Sequence, residues 1–246
     1  ESHVAVVPAA LAGDSSHFLK RLAVDAYSRL AGAGSQRPGA TTVLFAAATL
    51  TAPSARAAGA VAEVVAERVA EPAAEAAAEA VVERVVAEVA DRTAAWGSTV
   101  VLTSTEVDRR FGRAGTAQAV DAVGSASVSA PLALWLDQQV RSHEYVFLVA
   151  DDTATQWTLR CLRLVDEVMV VAAAGVGTGA AAASGAPAAT VADPRPGPLE
   201  TSLVEGAPDI PRQLILVHPD DTTMPSGTAA WLTGRDVVAH HHVRLG

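Results

Sequence analysis

The chain has 246 residues, with 27 acidic against 18 basic side chains and a formal charge of −9 when histidine is neutral. That balance argues against a nucleic-acid backbone or an anionic leaflet as the partner, because both demand a Lys/Arg surplus to replace counterions. A single cysteine, Cys161, rules out a disulfide framework or thiolate metal cage, and the apolar runs are too short to cross ~30 Å of hydrocarbon.

No secretory leader or initiator Met precedes Glu1, and strand-like sequence begins at His3, as expected of a segment cut from a longer chain. Residues 3–7 read as a first strand. Asp14 or Ser15 then caps a helix whose apolar positions Leu19, Leu22, Ala23, Ala26 and Leu30 recur three or four apart, and Gly32 and Gly34 stop it. Thr41–Ala47 is a weaker strand candidate, since an insertion comes directly after it. Over residues 53–96 the composition turns to Ala, Val and Glu. Here Glu63, Glu67, Glu71, Glu75, Glu79 and Glu83 repeat every four residues, and Val61, Val64, Val65, Val69, Val81, Val82, Val85, Val86 and Val89 make apolar seams. A straight helix of that span would be about 60 Å long, against a radius of gyration near ~18 Å for such a globule. Pro72 breaks it, which predicts two pieces, 54–71 and 73–94, projecting or folded back as a hairpin. The seams read as a coiled-coil contact or as a tolerated low-complexity insertion.

Strands are predicted at residues 99–103, 145–150, 167–172 and 213–218, with a sixth, edge-type run at 237–243. Ser129 and Pro131 open a helix with Leu132, Trp135, Leu136 and Val140 on one face. Thr153 or Thr155 opens another with Trp157, Cys161 and Leu164 inward, and Pro225 and Ser226 begin a short one through Trp231 and Leu232. Residues 174–211 are rich in Gly, Ala and Pro and read as a flexible loop with at most one helical turn near 199–204. Strands alternating with helices, several of them nearly all apolar, predict one α/β domain over 1–246 with a three-layer, doubly wound, mostly parallel sheet and a long helical insertion.

Ligands of such sheets sit at the carboxyl ends of the strands. After residues 3–7 a nucleotide-binding domain needs a glycine-rich loop and a Lys followed by Ser or Thr to cradle phosphate and Mg²⁺. Neither is present, and Asp14 would oppose a phosphate at the positive end of its helix. Gly13 and Ser15, together with Asp151, leave only a weak residual anion site. Asp151 and Asp152 stand where a Mg²⁺-holding carboxylate would lie, yet Asp152 and Thr153 also read as ordinary helix capping. Gly175-Val176-Gly177-Thr178-Gly179-Ala180 matches G-x-G-x-x-A without a credible helix after it. His240 and His242 share one strand face and His241 takes the other, so only two of the three can converge; His17, His143 and His218 have no partner in sequence. No G-x-S-x-G elbow occurs. The sequence therefore assigns no catalytic residue, no metal and no cofactor.

The order His3-Val4-Ala5-Val6-Val7-Pro8, Ser98-Thr99-Val100-Val101-Leu102-Thr103-Ser104 with Phe111-Gly112, and Trp135-Leu136-Asp137-Gln138-Gln139 resembles the region before the catalytic domain of neuropathy-target-esterase-type patatin-like phospholipases. Tyr145–Asp151, Trp157-Thr158-Leu159-Arg160-Cys161-Leu162-Arg163, Gly197-Pro198-Leu199-Glu200, Leu214–His218, Thr228–Leu232 and His240–Arg244 extend the resemblance, leaving about 35–96 and 175–193 as insertions. It implies cyclic-nucleotide-binding-like domains upstream and, downstream, a patatin domain that hydrolyses phospholipid acyl esters with a Ser-Asp dyad. The dyad's motifs are absent here, so no catalytic residue carries over. The segment also resembles a degenerate Min/Par-type P-loop NTPase, and hence a Rossmann-like fold.

The resemblance implies a non-catalytic regulatory or spacer pseudo-NTPase domain of such a phospholipase, with those flanking domains as partners. It implies a cytoplasmic placement, with a membrane reached only through the parent enzyme. Arg160 and Arg163, at i and i+3 on one helix, are the candidate interdomain contact, the other reading being solvated surface cations. A nucleotide-binding switch retaining a site at Gly13–Ser16 and Asp151 is the alternative, and self-association through the 54–94 helices a third.

Overall fold

The computed structural model describes residues 40–48, 78–120, 129–174 and 194–245. The strand expected at residues 3–7, its helix, Gly13, Ser15, and Gly175 to Ala180 lie outside them. Six strands form one sheet: β1 (Thr41–Ala47), β2 (Thr99–Leu102), β3 (Tyr145–Val149), β4 (Glu167–Ala173), β5 (Arg212–His218) and β6 (Ala239–Arg244). Their order is β2-β3-β1-β4-β5-β6 and every pairing is parallel.

β1, the weaker candidate in sequence, is the central strand. It pairs with β3 on one side, Val43 opposite Phe147, and with β4 on the other, Phe45 opposite Met169. Both edges are paired and both faces covered, and Val43 through Ala46 are at most 1% exposed. A strand buried on both faces has no reason to alternate polar with apolar residues.

The helices are α1 (described over residues 78–93), α2 (Ser104–Phe111), α3 (Ser129–Ser142), α4 (Gln156–Cys161), α5 (Pro198–Gly206) and α6 (Thr228–Leu232). Right-handed crossovers decide which face each one covers. The step from β1 to β2 runs one way across the sheet, and every later step runs the other way. Accordingly Val82, Val85, Val86 and Val89 of α1 join Val43, Phe45, Phe147, Met169 and Ile215 in one core. Leu132, Leu136, Trp157, Leu199, Leu203 and Trp231, from α3 to α6, join Leu44, Leu148, Val170, Leu214 and Leu216 in the other.

Two expectations change here. Over residues 78–93 the Ala/Val/Glu stretch does not project; its valine seam is a layer of the domain, because those side chains seal the apolar face that β1, β3 and β4 present. Residues 198–206 make a nine-residue helix rather than a single turn, with Pro198 at its first position and Leu199 and Leu203 buried beneath it. Other features match the sequence closely. Thr155 caps α4 by accepting from Thr158 N, and Trp157 and Cys161 are fully buried. α2 is additional to the predicted elements, although Thr103-Ser104-Thr105-Glu106 carries the S/T-x-x-E signature of a helix start; Thr103 Oγ1 accepts from Glu106 N, and Gly112 in the left-handed region ends the helix.

Candidate functional site

β1 is where the strand order turns, so the crevice at its carboxyl end, flanked by β3 and β4, is the place a ligand of this fold would occupy. Asp151, two residues beyond β3, stands at that crevice and is half-buried. Its carboxylate is already engaged. Ser104 Oγ at the start of α2 donates to Oδ1 at 2.6 Å, while Gln118 Nε2 at 2.7 Å and Thr155 Oγ1 at 2.5 Å donate to Oδ2. A carboxylate has about four acceptor positions, so three are spent on the protein itself. Asp151 N donates to Thr158 Oγ1, whose hydroxyl donates onward to Thr153 O.

The donors are held in turn. Gln118 Oε1 accepts from Trp157 N at 3.1 Å, which fixes the amide between α4 and Asp151. The turn carrying Gln118 is pinned from two sides: Asp108 accepts from Gly115 N and Ala117 N, and the Arg160 guanidinium donates to Ala117 O at 2.7 Å and Ala119 O at 2.9 Å. The Trp157 indole N–H donates to Val149 O, tying α4 to the end of β3. Thr155 is readable from its place before α4. Ser104 and Gln118 lie 47 and 33 residues from Asp151 and carry no local signal.

Thus Asp151 is a hub that joins β3, α2, α4 and the 112–119 turn. Asp152 is exposed, as is Arg163. Arg160 spends its Nη1 and Nη2 donors inside the domain. In a P-loop protein a lysine comes after a strand of the site, whereas no lysine occurs in the sequence after β1, the single lysine of this chain being Lys20.

The histidines form a second cluster, at β5 and β6. His240 and His242 share a face, as read from sequence, and His218 from the adjacent strand joins them. His218 Nε2 and His242 Nδ1 are 2.7 Å apart, Thr228 Oγ1 lies 3.3 Å from His242 Nε2, and the His218 and His242 rings stack with centroids 5.0 Å apart. Burial, and then the neighbouring His218 and His240, hold His242 down to about 4; burial lowers His240 as well, and burial followed by Arg244 lowers His218. The His218 and His242 rings bond to each other rather than pointing lone pairs at a common centre. Among the described residues no group of three or more His, Cys, Asp or Glu is arranged to hold a metal ion, and no helix is long and apolar enough to cross a membrane.

The family model of the Neuropathy Target Esterase family P-loop like domain matches residues 76–246. The chain is 32% identical over 154 residues to patatin-like phospholipase domain-containing protein 7 of Mus musculus, covering 63% of this chain and 10% of that protein. It is 30% identical over 158 residues to patatin-like phospholipase domain-containing protein 6 of Homo sapiens, covering 64% and 10%. Against lysophospholipase NTE1 of Cryptococcus neoformans it is 33% identical over 113 residues, covering 45% and 6%. The chain therefore spans about a tenth of the length of such relatives. No solved structure matches it. The matched span opens just before the described part of α1 and takes in every element from there to β6, Asp151 and its donors included; the chain belongs to the neuropathy target esterase family of P-loop-like domains.

Proposed function

We propose that this domain is a non-catalytic regulatory or spacer module, a pseudo-NTPase within a patatin-like phospholipase whose phospholipid acyl-ester hydrolysis is carried out by another domain. The observation that carries the reading is the Asp151 carboxylate, satisfied by Ser104, Gln118 and Thr155 where a nucleotide enzyme would keep a carboxylate open for Mg²⁺. The position of Lys20 ahead of β1 supports it, as do the names of the relatives, which are phospholipases and lysophospholipases. The module links upstream cyclic-nucleotide-binding-like domains to a downstream hydrolase, with Arg163 as the solvent-facing cation offered to a neighbour and Arg160 holding the turn beside it. Its placement is cytoplasmic, with the membrane met by the parent enzyme.

Turnover decides it. This chain, incubated separately with Mg²⁺-ATP, Mg²⁺-GTP and a lysophospholipid, should release phosphate and fatty acid no faster than buffer. Release of either product above buffer, rising in proportion to the concentration of the chain, would overturn the reading.

A further inference from the structure

At the carboxyl ends of β5 and β6, on the face of the sheet that carries α6, three imidazoles stand together. His218 is the last residue of β5, His240 and His242 lie on β6, and Arg244 stands opposite His218 across the ladder. His218 is 5% exposed, and His240 and His242 are half-buried. Residues 219–227 lead from His218 into α6 and are mostly exposed. Arg244 Nη1 donates to Asp220 O at 3.4 Å, and Thr228 Oγ1 meets His242 Nε2 at 3.3 Å. Both bonds from this segment to β6 are long.

The surroundings oppose charge on these rings. Among the described residues no carboxylate bonds to any of the three. Asp220 and Asp221 are exposed, α6 carries no charged side chain, and β4 turns Val170 and Ala172 to this face. Arg244 adds a fixed positive charge beside His218. His218 Nε2 and His242 Nδ1 face each other at 2.7 Å, so one nitrogen must offer the lone pair that the other's N–H needs. When both rings are charged, both facing nitrogens carry N–H and the bond is lost. The rings then repel across 5.0 Å, with His240 edge-on to His242 at 5.7 Å, and His218 is left with a second N–H, on Nδ1, that is buried and has no acceptor.

We infer that the His218–His242 pair is an acid-released latch, which holds residues 219–228 against the carboxyl ends of β5 and β6 while neutral and lifts them when both rings take up a proton from solvent. Hydrating two charged rings requires their cover to move, because an imidazolium kept from water is costly. The sheet is not the part that yields: β5 and β6 stay paired from Gln213 opposite Ala239 to His218 opposite Arg244, and Trp231, 6% exposed, keeps α6 anchored. The segment between them, exposed and held by long bonds, opens first. Burial, then the His218 and His240 neighbours, hold His242 down to about 4, which places the release on the acid side of neutrality. The latch is separate from the Asp151 crevice and independent of the pseudo-NTPase assignment.

Amide hydrogen exchange of the chain between about pH 7 and about pH 4, corrected for the intrinsic rate at each pH, tests the assignment. Protection over residues 219–228 should fall about tenfold or more on acidification, while amides of β1 and β4 keep theirs. His242→Phe keeps an aromatic ring on the stack but takes no proton, and should remove most of that pH dependence. Arg244→Gln takes away the fixed charge that opposes protonation in the closed state, and should make the acid-induced loss smaller. Unchanged protection over 219–228, an equal loss in β1 and β4, or the wild-type loss in folded H242F or R244Q would each overturn it. The comparison of 219–228 with β1 and β4, and R244Q, decide the matter even where H242F fails to fold.

Discussion

Asp151 shows how a carboxylate at a strand's carboxyl end can be taken up by the protein's own donors. Three protein donors converge on its two oxygens from elements far apart in the chain, so the side chain now holds the layers together. Asp151→Asn removes the charge and one acceptor oxygen, and so weakens the charge-assisted bonds from Ser104, Gln118 and Thr155. The expected result is a loss of about 1–3 kcal/mol in urea unfolding; an unchanged midpoint would mean the three bonds contribute nothing. Arg235 is the other buried polar centre. It chelates Glu200, donates to Pro194, Arg195 and Trp231 carbonyls, and its charge lies 5.3 Å from the Trp231 ring. With the two side chains 3% and 6% exposed, Arg235→Ala leaves the Glu200 carboxylate buried with no cation and only the Gly197 N–H on it, and should cost about 3–5 kcal/mol in the same measurement. The histidine pair predicts pH dependence. His242 titrates near 4 in the fold against 6.5 ordinarily, so between these values the unfolded chain binds a proton that the native chain refuses. Its contribution to stability is therefore complete above about 6.5 and is lost as the pH falls towards 4. Lowered His218 and His240 act in the same direction. Denaturation midpoints should fall across that window and fall less steeply in His242→Phe; equal slopes would contradict the assignment.

Among the elements, α1 separates a structural helix from an appended one. Its Glu repeat gives the stretch the look of a low-complexity insertion, and the valines between the glutamates reveal their purpose only once β1 is known to be central. Val85 and Val86 are 2% and 3% exposed against that sheet. Val85→Asp should therefore abolish cooperative unfolding, since it buries an unpaired carboxylate in the core, whereas a projecting helix would tolerate it with native circular dichroism and melting. The rank of β1 is hidden in the sequence for a related reason: a strand with no contrast between its two faces carries little periodic signal, and the Ala/Val/Glu stretch beyond it masks its place in the strand–helix alternation. By contrast β3, β4 and β5 are plain from their aliphatic runs, and α3 and α4 from Pro131 and Thr155. Ser104, Gln118 and His218 cannot be joined to their partners by spacing, because the sheet order, not the chain order, brings them together.

Across the whole molecule, one reversal of direction at β1 places a single described helix on one face and the remaining five on the other, and puts the ligand crevice at the carboxyl end of β1. The fold class is legible from alternation alone, because each strand needs cover and each crossover supplies it. The fate of the crevice is only half legible. The sequence shows no glycine-rich loop with a Lys followed by Ser or Thr, but the place of Asp151 as a hub depends on side chains 33 and 47 residues away. In relatives such as these the matched span is about a tenth of a much longer chain. What remains decisive is whether the crevice still takes a nucleotide. Isothermal titration of this chain with ATP and with GTP, each with Mg²⁺ to millimolar concentration, should give only heats of dilution. A saturable isotherm with one-to-one stoichiometry would contradict the account.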